Sequence, residues 1–437
     1  MKKVITVLLS ICICLFMSGC DLLSPETEEL LTPPQLTGEM HPIEQALKDS
    51  VSGQYTLRYP SFGEQRSAVM LRDVNHDGKE EAFAFYSTTH DDLITMHINA
   101  IVEDGDDWKS KGVQSITAAG LEKVEFCDLD GDGIEEIVVG WEVYAQSEKQ
   151  VSIYSFKGGK LTSLLMQPYT SFVCCDLDKN GFNELFIHLL DVTNAKNMGA
   201  VYTVTNEGSV QTASCLMDNK VTETNKPILS TLSDGAPAIY IDETKGVGAI
   251  TEVLFIKDGK LVNGLLDSAV SMENIITLRP ASIYCRDIDG DDIPEIPIAT
   301  DLPNADTSSV EKLYYTNWCS YDGATITQKK VSIINTADGY MLEVPQKWLG
   351  NIAVAKDTSK KTRTIYSFDS ENQMVGVKLV TFKVVDERSW NKEDYDKKGM
   401  IELCRNAGFV YTAAITSYEG ELALGEEAIK NMFSLTA

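Results

Sequence analysis

Apolar and polar positions alternate on either side of several short acidic segments. Before the first segment, Val69 and Leu71 are separated by one residue, and the run at 82–86 that follows it reads AFAFY. Alternation with a period of two, bounded by turn-forming residues, predicts a strand on each side of the segment. Apolar runs of the same kind flank the acidic segments that begin at residues 128, 176 and 287. The chain is therefore predicted to be mainly β and to contain repeated strand–loop–strand hairpins.

The four acidic segments carry oxygen-bearing side chains at the same places. These side chains occupy the first, third, fifth and ninth positions, and glycine occupies the sixth position in three of the four segments. Ca²⁺ prefers six to eight oxygen ligands, and glycine permits the sharp turn that such a loop needs. In the fourth segment Asp292 replaces glycine, and Asp is among the few residues that tolerate a left-handed conformation. The predicted metal ligands are Asp73, Asn75, Asp77 and Glu81 in loop 1, Asp128, Asp130, Asp132 and Glu136 in loop 2, Asp176, Asp178, Asn180 and Glu184 in loop 3, and Asp287, Asp289, Asp291 and Glu295 in loop 4.

The residues around these loops distinguish them from EF-hands. An EF-hand requires a bidentate glutamate at position 12 of the loop and a helix on each side. Position 12 is apolar in all four segments, and the flanking residues have the period of strands. The residues at position 12 are Ala84, Val139, Ile187 and Ile298.

The acidic loops recur at nearly regular intervals. They begin at residues 73, 128, 176 and 287, so the last interval is about twice as long as the others. Midway through that interval, residues 230–238 keep the pattern of a hairpin but retain only Asp234 of the predicted ligands. Repeats of about 40–50 residues or slightly more, with four strands each, are typical of propeller blades. The spacing therefore predicts a β-propeller.

This combination resembles the FG-GAP and VCBS-type repeats of integrin α-chain propellers and of many bacterial surface proteins. In that family, calcium lies in a hairpin loop between two strands of a blade. The resemblance covers residues 44–335 and implies a propeller with five blades favoured and six as the alternative. It also implies up to four structural Ca²⁺ ions. Carboxylates about 4 Å apart repel each other by about 1 kcal/mol even in water, so a cation is expected to stabilise each loop.

The N-terminal residues have the features of an export signal. Two lysines precede a mostly apolar stretch at 4–17, which is too short for a membrane span and typical of a signal peptide. The following sequence, Ser-Gly-Cys20, resembles the lipobox of bacterial lipoproteins, although methionine stands where leucine is usual. We expect a signal peptide at 1–19, a lipid on Cys20, and an acidic, proline-containing tether at 20–43. An ordinary cleaved signal with an incidental cysteine is the alternative.

The C-terminal segment, residues 336–437, has a different pattern. It contains successive strand-like runs without acidic loops, and an amphipathic pattern at 426–433 indicates a short helix. We predict a small α+β domain. Its opening at 339–348, which reads GY followed by proline and tryptophan, resembles PsbP-like domains.

Charge and composition exclude some classes of partner. Lys and Arg total 38 against 65 Asp and Glu, which gives a net charge of −27. Nucleic-acid binding depends largely on cationic side chains, so a nucleic-acid partner is not expected. Seven of the ten cysteines remain after those in the predicted signal and the lipidated cysteine are set aside, and none has metal-ligand spacing. They are interpreted as small buried side chains.

The sequence contains no motif for a nucleophile elbow, a zinc protease or a phosphate-binding loop, and no catalytic residue is predicted. The first hypothesis is a membrane-tethered, extracytoplasmic binding or scaffold module for a protein or glycan. The second is a secreted hydrolase or lyase that uses the axial pocket of the propeller. The third is a structural component of the cell envelope.

Overall fold

A computed structural model describes residues 40–143, 149–205, 208–266, 273–280, 282–391 and 399–436. The predicted signal peptide, Cys20 and the tether up to residue 39 lie outside these ranges. No helix in the described part of the chain is long and apolar enough to cross a bilayer. The chain divides into two compact units, which are described separately. The first contains the described residues up to Ala119 and Phe156–Thr162, and the second contains Gly120–Ser155 and the described residues from Ser163 onward.

The first unit combines one helix with one sheet. Helix α1 (His41–Ser50) has a proline in its first turn, and its buried residues Ile43 and Leu47 are four positions apart, on one helical face. Both residues pack on the sheet. The sequence analysis predicted strands in this unit but did not predict the helix. The sheet has the order β1-β3-β4-β5, and β2 also pairs with β3. Its strands are β1 (Thr56–Leu57), β2 (Val69–Arg72), β3 (Glu81–His90), β4 (Leu93–Asp104) and β5 (Asp107–Thr117).

The second unit begins with three antiparallel sheets in chain order. The first is β6-β7-β8-β9, the second is β10-β11-β12-β13, and the third is β14-β16-β17-β18, with β15 paired to β16. The strands are β6 (Gly120–Cys127), β7 (Glu136–Glu142), β8 (Lys149–Ser155), β9 (Thr162–Tyr169), β10 (Ser171–Cys175), β11 (Glu184–Asp191), β12 (Lys196–Thr205), β13 (Gly208–Leu216), β14 (Val221–Thr224), β15 (Ile228–Thr231), β16 (Pro237–Lys245), β17 (Gly248–Lys257) and β18 (Lys260–Asn263).

Two further sheets complete the second unit. Their orders are β19-β20-β21-β22-β28 and β23-β24-β25-β27-β26. The strands are β19 (Ile296–Leu302), β20 (Leu313–Tyr321), β21 (Ile326–Asn335), β22 (Tyr340–Glu343), β23 (Ile352–Asp357), β24 (Thr362–Asp369), β25 (Met374–Asp386), β26 (Met400–Asn406), β27 (Phe409–Ile415) and β28 (Phe433–Leu435), and helix α2 is Glu426–Asn431. The predicted boundary between residues 335 and 336 lies inside a sheet, because Asn335 of β21 pairs with Tyr340 of β22.

Successive sheets of the second unit pack face to face. Each hydrophobic core is shared by one sheet and the next one along the chain. The cores join Val138 with Leu185, Phe186 with Ile239, Tyr240 with Ile296, and Leu342 with Phe382. Leu185 and Phe186 are adjacent in β11 and enter different cores because neighbouring residues of a strand point to opposite faces. The prediction of a mainly β protein built from antiparallel sheets is confirmed.

Candidate calcium-binding loops

All four acidic segments are hairpin loops, and three of them join two strands of one sheet. Loops 1, 2 and 3 connect β2 to β3, β6 to β7 and β10 to β11. Loop 4 is closed by an isolated bridge between Arg286 and Glu295, immediately before β19. In loop 3, Cys175 pairs with Glu184, so eight residues form the loop. Each of the other three loops also has eight residues between the two residues that close it. The predicted strand–loop–strand arrangement is confirmed for loops 1, 2 and 3, whereas loop 4 has a strand only on its C-terminal side.

The aspartate at the first position organises each loop by accepting backbone hydrogen bonds. In loop 2, Asp128 Oδ1 accepts from the amide of Gly131 at 2.7 Å and Asp128 Oδ2 accepts from the amide of Gly133 at 3.0 Å. In loop 4 the equivalent donor to the second oxygen of Asp287 is the amide of Asp292, at 2.9 Å. Asp292 has a φ of +64°, so it adopts the left-handed conformation that the sequence analysis expected at the sixth position.

The glutamate at the ninth position fastens the loop to the sheet. Glu136 Oε2 accepts from the amide of Leu129 at 3.1 Å, and Glu295 Oε2 accepts from the amide of Ile288 at 2.9 Å. The same bond to the second loop residue is present in loops 1 and 3. Burial, together with the charges of the nearby loop aspartates, raises the pKa of Glu136 to about 7, although the hydrogen bond from the Leu129 amide partly opposes this shift. A carboxylate in this position is therefore costly to ionise without a cation.

Three loops bring three carboxylates together, with one oxygen of each within 4.8 Å of the others. The residues are Asp128, Asp130 and Glu136 in loop 2, Asp176, Asp178 and Glu184 in loop 3, and Asp287, Asp289 and Asp291 in loop 4. Loop 1 is fully described and forms no such group, because Asn75 stands at its third position and donates from Nδ2 to Glu81 Oε1 at 3.2 Å. Loop 1 therefore has one carboxylate fewer than loop 2 among its predicted ligands, and the Asn75 amide donates a hydrogen bond to Glu81 instead.

The donor set fits a hard divalent cation. All the predicted ligands offer oxygen atoms, which is the preference of Ca²⁺. In loop 4, Glu295 Oε1 is shielded from solvent and has no hydrogen-bond partner, although the carboxylate lies near Asp287, Asp289 and Asp291. Lys329 Nζ lies 3.7 Å from Asp289 and 3.9 Å from Asp291, so it offsets only part of this charge. An unpaired buried carboxylate oxygen beside three aspartates is a suitable position for a cation.

The fifth hairpin, between β15 and β16, has a shorter loop than the four acidic hairpins. Its closing pair is Thr231 with Pro237, so five residues form the loop instead of eight. The hairpin predicted at 230–238 is therefore present, but its loop is three residues shorter than loops 1–4. Asp234 Oδ1 accepts a hydrogen bond from the amide of Ala236 at 2.9 Å. In loops 1–4 the side chain at the fifth position accepts the same bond from the amide two residues later.

The loops of the second unit contact one another in chain order. A Cβ atom at Gly131 of loop 2 would lie 2.6 Å from the ring of Phe182 in loop 3. Lys179 Nζ of loop 3 donates to the carbonyl of Gly235 in the fifth hairpin at 2.6 Å. Ser230, at the start of that hairpin, donates to the carbonyl of Asp292 in loop 4 at 3.2 Å. The four hairpins therefore form one continuous row.

The structure also contains a buried polar network that the sequence analysis did not predict. His188 Nε2 lies 3.4 Å from Glu243 Oε1, and both side chains are fully buried. Glu252, also fully buried, accepts from Asn263 and Asn274, and burial raises its pKa to about 7, with repulsion from Glu243 as the next cause. The available sequence signal was the presence of glutamates within the apolar runs of β16 and β17.

The cysteines of the described residues are all free thiols. Four of the seven are buried, namely Cys127, Cys175, Cys285 and Cys319. This agrees with their interpretation as small core side chains.

No protein-family model matches the chain, and no curated protein matches it in sequence. Among solved structures, a rhamnogalacturonan lyase from Bacillus licheniformis has 13% identity and a TM-score of 0.30, covering 66% of this chain and 72% of the lyase. The periplasmic gluconolactonase of Pseudomonas aeruginosa has 12% identity and a TM-score of 0.27, with coverages of 73% and 86%. An exo-β-1,3-galactanase from Phanerochaete chrysosporium has 10% identity and a TM-score of 0.23, with coverages of 75% and 79%. No activity is inferred from similarities at this level.

Proposed function

We propose that this protein is an extracytoplasmic lipoprotein, anchored to the cell membrane through Cys20, whose calcium-stabilised β-propeller binds a protein or glycan. The propeller has five blades, with six as the alternative, and up to four structural Ca²⁺ ions. The loops at 73–81, 128–136, 176–184 and 287–295 hold the ions. Diacylation of Cys20 supplies two acyl chains, which is the minimum for stable anchoring.

The single observation that carries this proposal is the row of contacting hairpins in the second unit. Sheets that stack face to face and present equivalent loops along one side are the arrangement that propeller blades require. The contact of Gly131 with Phe182 and the bond from Lys179 to Gly235 join successive loops. Ordering one loop therefore restrains its neighbour, and a cation in each loop would hold the whole side of the unit in shape.

Calcium supplies charge neutralisation in this scheme, and the protein residues supply the shape of each site. Backbone amides already orient the aspartate at the first position, as with Gly133 and Asp128. The glutamate at the ninth position, such as Glu136, is fixed by its bond to a loop amide. Extracellular calcium modules bind with dissociation constants of about 10⁻⁴–10⁻³ M, and we expect these loops to fall in that range.

A binding module is favoured over the hydrolase or lyase alternative by the position of His188 and Glu243. These residues form an acid/base pair, and both side chains have 0% exposure. A general acid or base must approach the substrate within hydrogen-bond distance. This pair is closed to any substrate in the folded state, so we assign it a structural role.

Two measurements test the proposal. Replacing Cys20 with serine should move the protein from the membrane fraction to the soluble extracytoplasmic fraction, and retention in the membrane would contradict the anchor. The ectodomain, residues 21–437, loaded with calcium should capture a protein or glycan from intact cells, and the same domain in EDTA should capture less. Equal capture in both conditions would contradict a calcium-dependent binding module.

A further inference from the structure

A cavity of about 240 Å³ lies in the second unit, remote from the acidic loops. It is lined by residues of β19, β20, β21, β23 and β24 and by residues that precede these strands. Its apolar lining includes Ile283, Leu313 and Ile334. The volume is smaller than the 300–1,000 Å³ that is common for drug-sized ligands, so the cavity suits a molecule the size of one ring with a few substituents.

Four cationic side chains line this cavity, and two of them are already neutralised. Lys356 Nζ lies 2.6 Å from Glu311, which also lines the cavity. Arg279 is buried and pairs with Asp242 at 2.8 Å. The other two cations are Lys312 and Arg363.

Arg363 lacks the partners that a shielded guanidinium normally has. Within the described part of the chain its side chain makes no hydrogen bond or ion pair, and its Nε atom is inaccessible to solvent. The carboxylates of Asp338 and Glu311 are close enough to oppose the lowering of its pKa by burial, and both are engaged with other groups. Asp338 accepts from Asn335 at 2.9 Å, and Glu311 pairs with Lys356. A shielded Nε–H group without an acceptor is costly, and an anion in the cavity would supply one.

The sheet register adds a second, independent indication. Arg363 of β24 is directly opposite Lys356 of β23 in the antiparallel pair. Like charges directly opposite each other destabilise a sheet. Lys312 also has no hydrogen bond or ion pair among the described residues, although acidic residues greatly outnumber basic ones in the chain. Two unpartnered cations therefore converge on a cavity with apolar walls.

We propose that this cavity binds a small organic carboxylate with an apolar or ring-shaped body. The planar carboxylate accepts two parallel hydrogen bonds from Arg363, a geometry that guanidinium groups favour, and a further bond from Lys312. The body of the ligand packs against Ile283, Leu313 and Ile334. This site goes beyond the proposed calcium-dependent module and uses none of its loop residues, so either proposal can fail without the other.

The test is a calorimetric titration of the mature chain, purified from membranes in a non-ionic detergent with calcium present. The probe is benzoate, and benzamide and inorganic phosphate are titrated in parallel. We expect saturable binding of benzoate, with at least tenfold weaker binding of benzamide and of phosphate. No binding of benzoate at 20 mM, or phosphate binding as tight as that of benzoate, would overturn the proposal.

Substitutions locate the site. Arg363→Gln should weaken benzoate binding about tenfold to hundredfold, which corresponds to the loss of a charge-assisted hydrogen-bonded pair. Arg363→Lys should weaken it less, because the charge remains while the forked geometry is lost. Lys312→Gln should weaken it only about twofold to fivefold, since this side chain is exposed. The control is Arg405→Gln, which removes an exposed arginine that pairs with Glu402 and does not line the cavity.

A stability measurement separates ligand binding from a structural role. Arg363→Gln removes an unpaired cation opposite Lys356, so the melting temperature without ligand should stay the same or rise. A lower melting temperature together with unchanged benzoate affinity would show that Arg363 has a structural role and would overturn the proposal. Equal weakening of benzoate binding by Arg405→Gln would also overturn it.

Discussion

The most informative perturbation of the acidic loops is Asp130→Asn in loop 2. Asp130 lies in the group of three carboxylates with oxygens within 4.8 Å, and its Oδ1 accepts from the amide of Asp132 at 3.1 Å. Asparagine has the same shape and keeps this acceptor, and Asn75 and Asn180 show that asparagine fits such loops. The substitution therefore changes charge while it preserves the turn.

The effect of this substitution should change sign with calcium. Two carboxylate pairs involve Asp130 in this group, and each costs about 1 kcal/mol at this separation in water, so Asp130→Asn should stabilise the metal-free protein by about 1–2 kcal/mol. With calcium at ten to a hundred times its dissociation constant, each site contributes about 1.4–2.7 kcal/mol. Loss of one charged ligand should remove much of that contribution, so the variant should be less stable than the wild type in calcium.

The assay is urea unfolding of residues 21–437 in 10 mM calcium and in EDTA, for the wild type and for Asp130→Asn. The control is Asp234→Asn, which alters the same kind of turn in the shortened hairpin, where no cluster of carboxylates is present among the described residues. The control should change stability equally in both conditions. If Asp130→Asn also has the same effect with and without calcium, loop 2 does not bind the ion and the reasoning is refuted.

The remaining predictions concern the packing of the loops and the buried glutamates. Gly131→Ala should cost more free energy of unfolding than Gly133→Ala, because both have positive φ angles but only Gly131 faces the ring of Phe182; equal losses by urea unfolding would contradict the contact between loops 2 and 3. The free energy of unfolding in calcium should fall as pH rises from about 4.5 to about 7, because Glu252 keeps its proton in the folded protein and loses it in the unfolded chain. The total decrease from this group should be up to about 3 kcal/mol. Glu243→Gln removes the repelling charge and should make this decrease shallower, and an unchanged pH profile would rule out the repulsion.

The hairpins and their loops could be predicted from the sequence because their signals are local. The spacing of Asp128, Asp130, Asp132 and Glu136 and the apolar runs on both sides are contained within about twenty residues. Backbone geometry then follows from turn chemistry, as in the left-handed conformation of Asp292. The shortening of the fifth loop was not predicted, because the pairing of the two strands decides which residues close the loop.

The buried network and the cationic cavity depend on distant residues, so local patterns do not reveal them. His188 and Glu243 lie on strands of two different sheets and meet between them. Lys312 directly precedes β20 and Arg363 lies in β24, and these strands belong to different sheets. Helix α1 was missed because its apolar positions, including Ile43 and Leu47, follow a proline-rich stretch that was interpreted as a tether. Short helices gain most of their stability from packing, which the sequence alone does not show.

The most direct test of the central claim is the anomalous scattering of crystals grown in calcium. Metal peaks are expected within loops 2, 3 and 4, with oxygen ligands at 2.3–2.6 Å. A peak is also expected in loop 1 through Asp73, Asn75, Asp77 and Glu81, and none in the hairpin at 231–237. Calcium-loaded crystals with no peaks in the acidic loops, or with a peak in the shortened hairpin, would contradict the central claim.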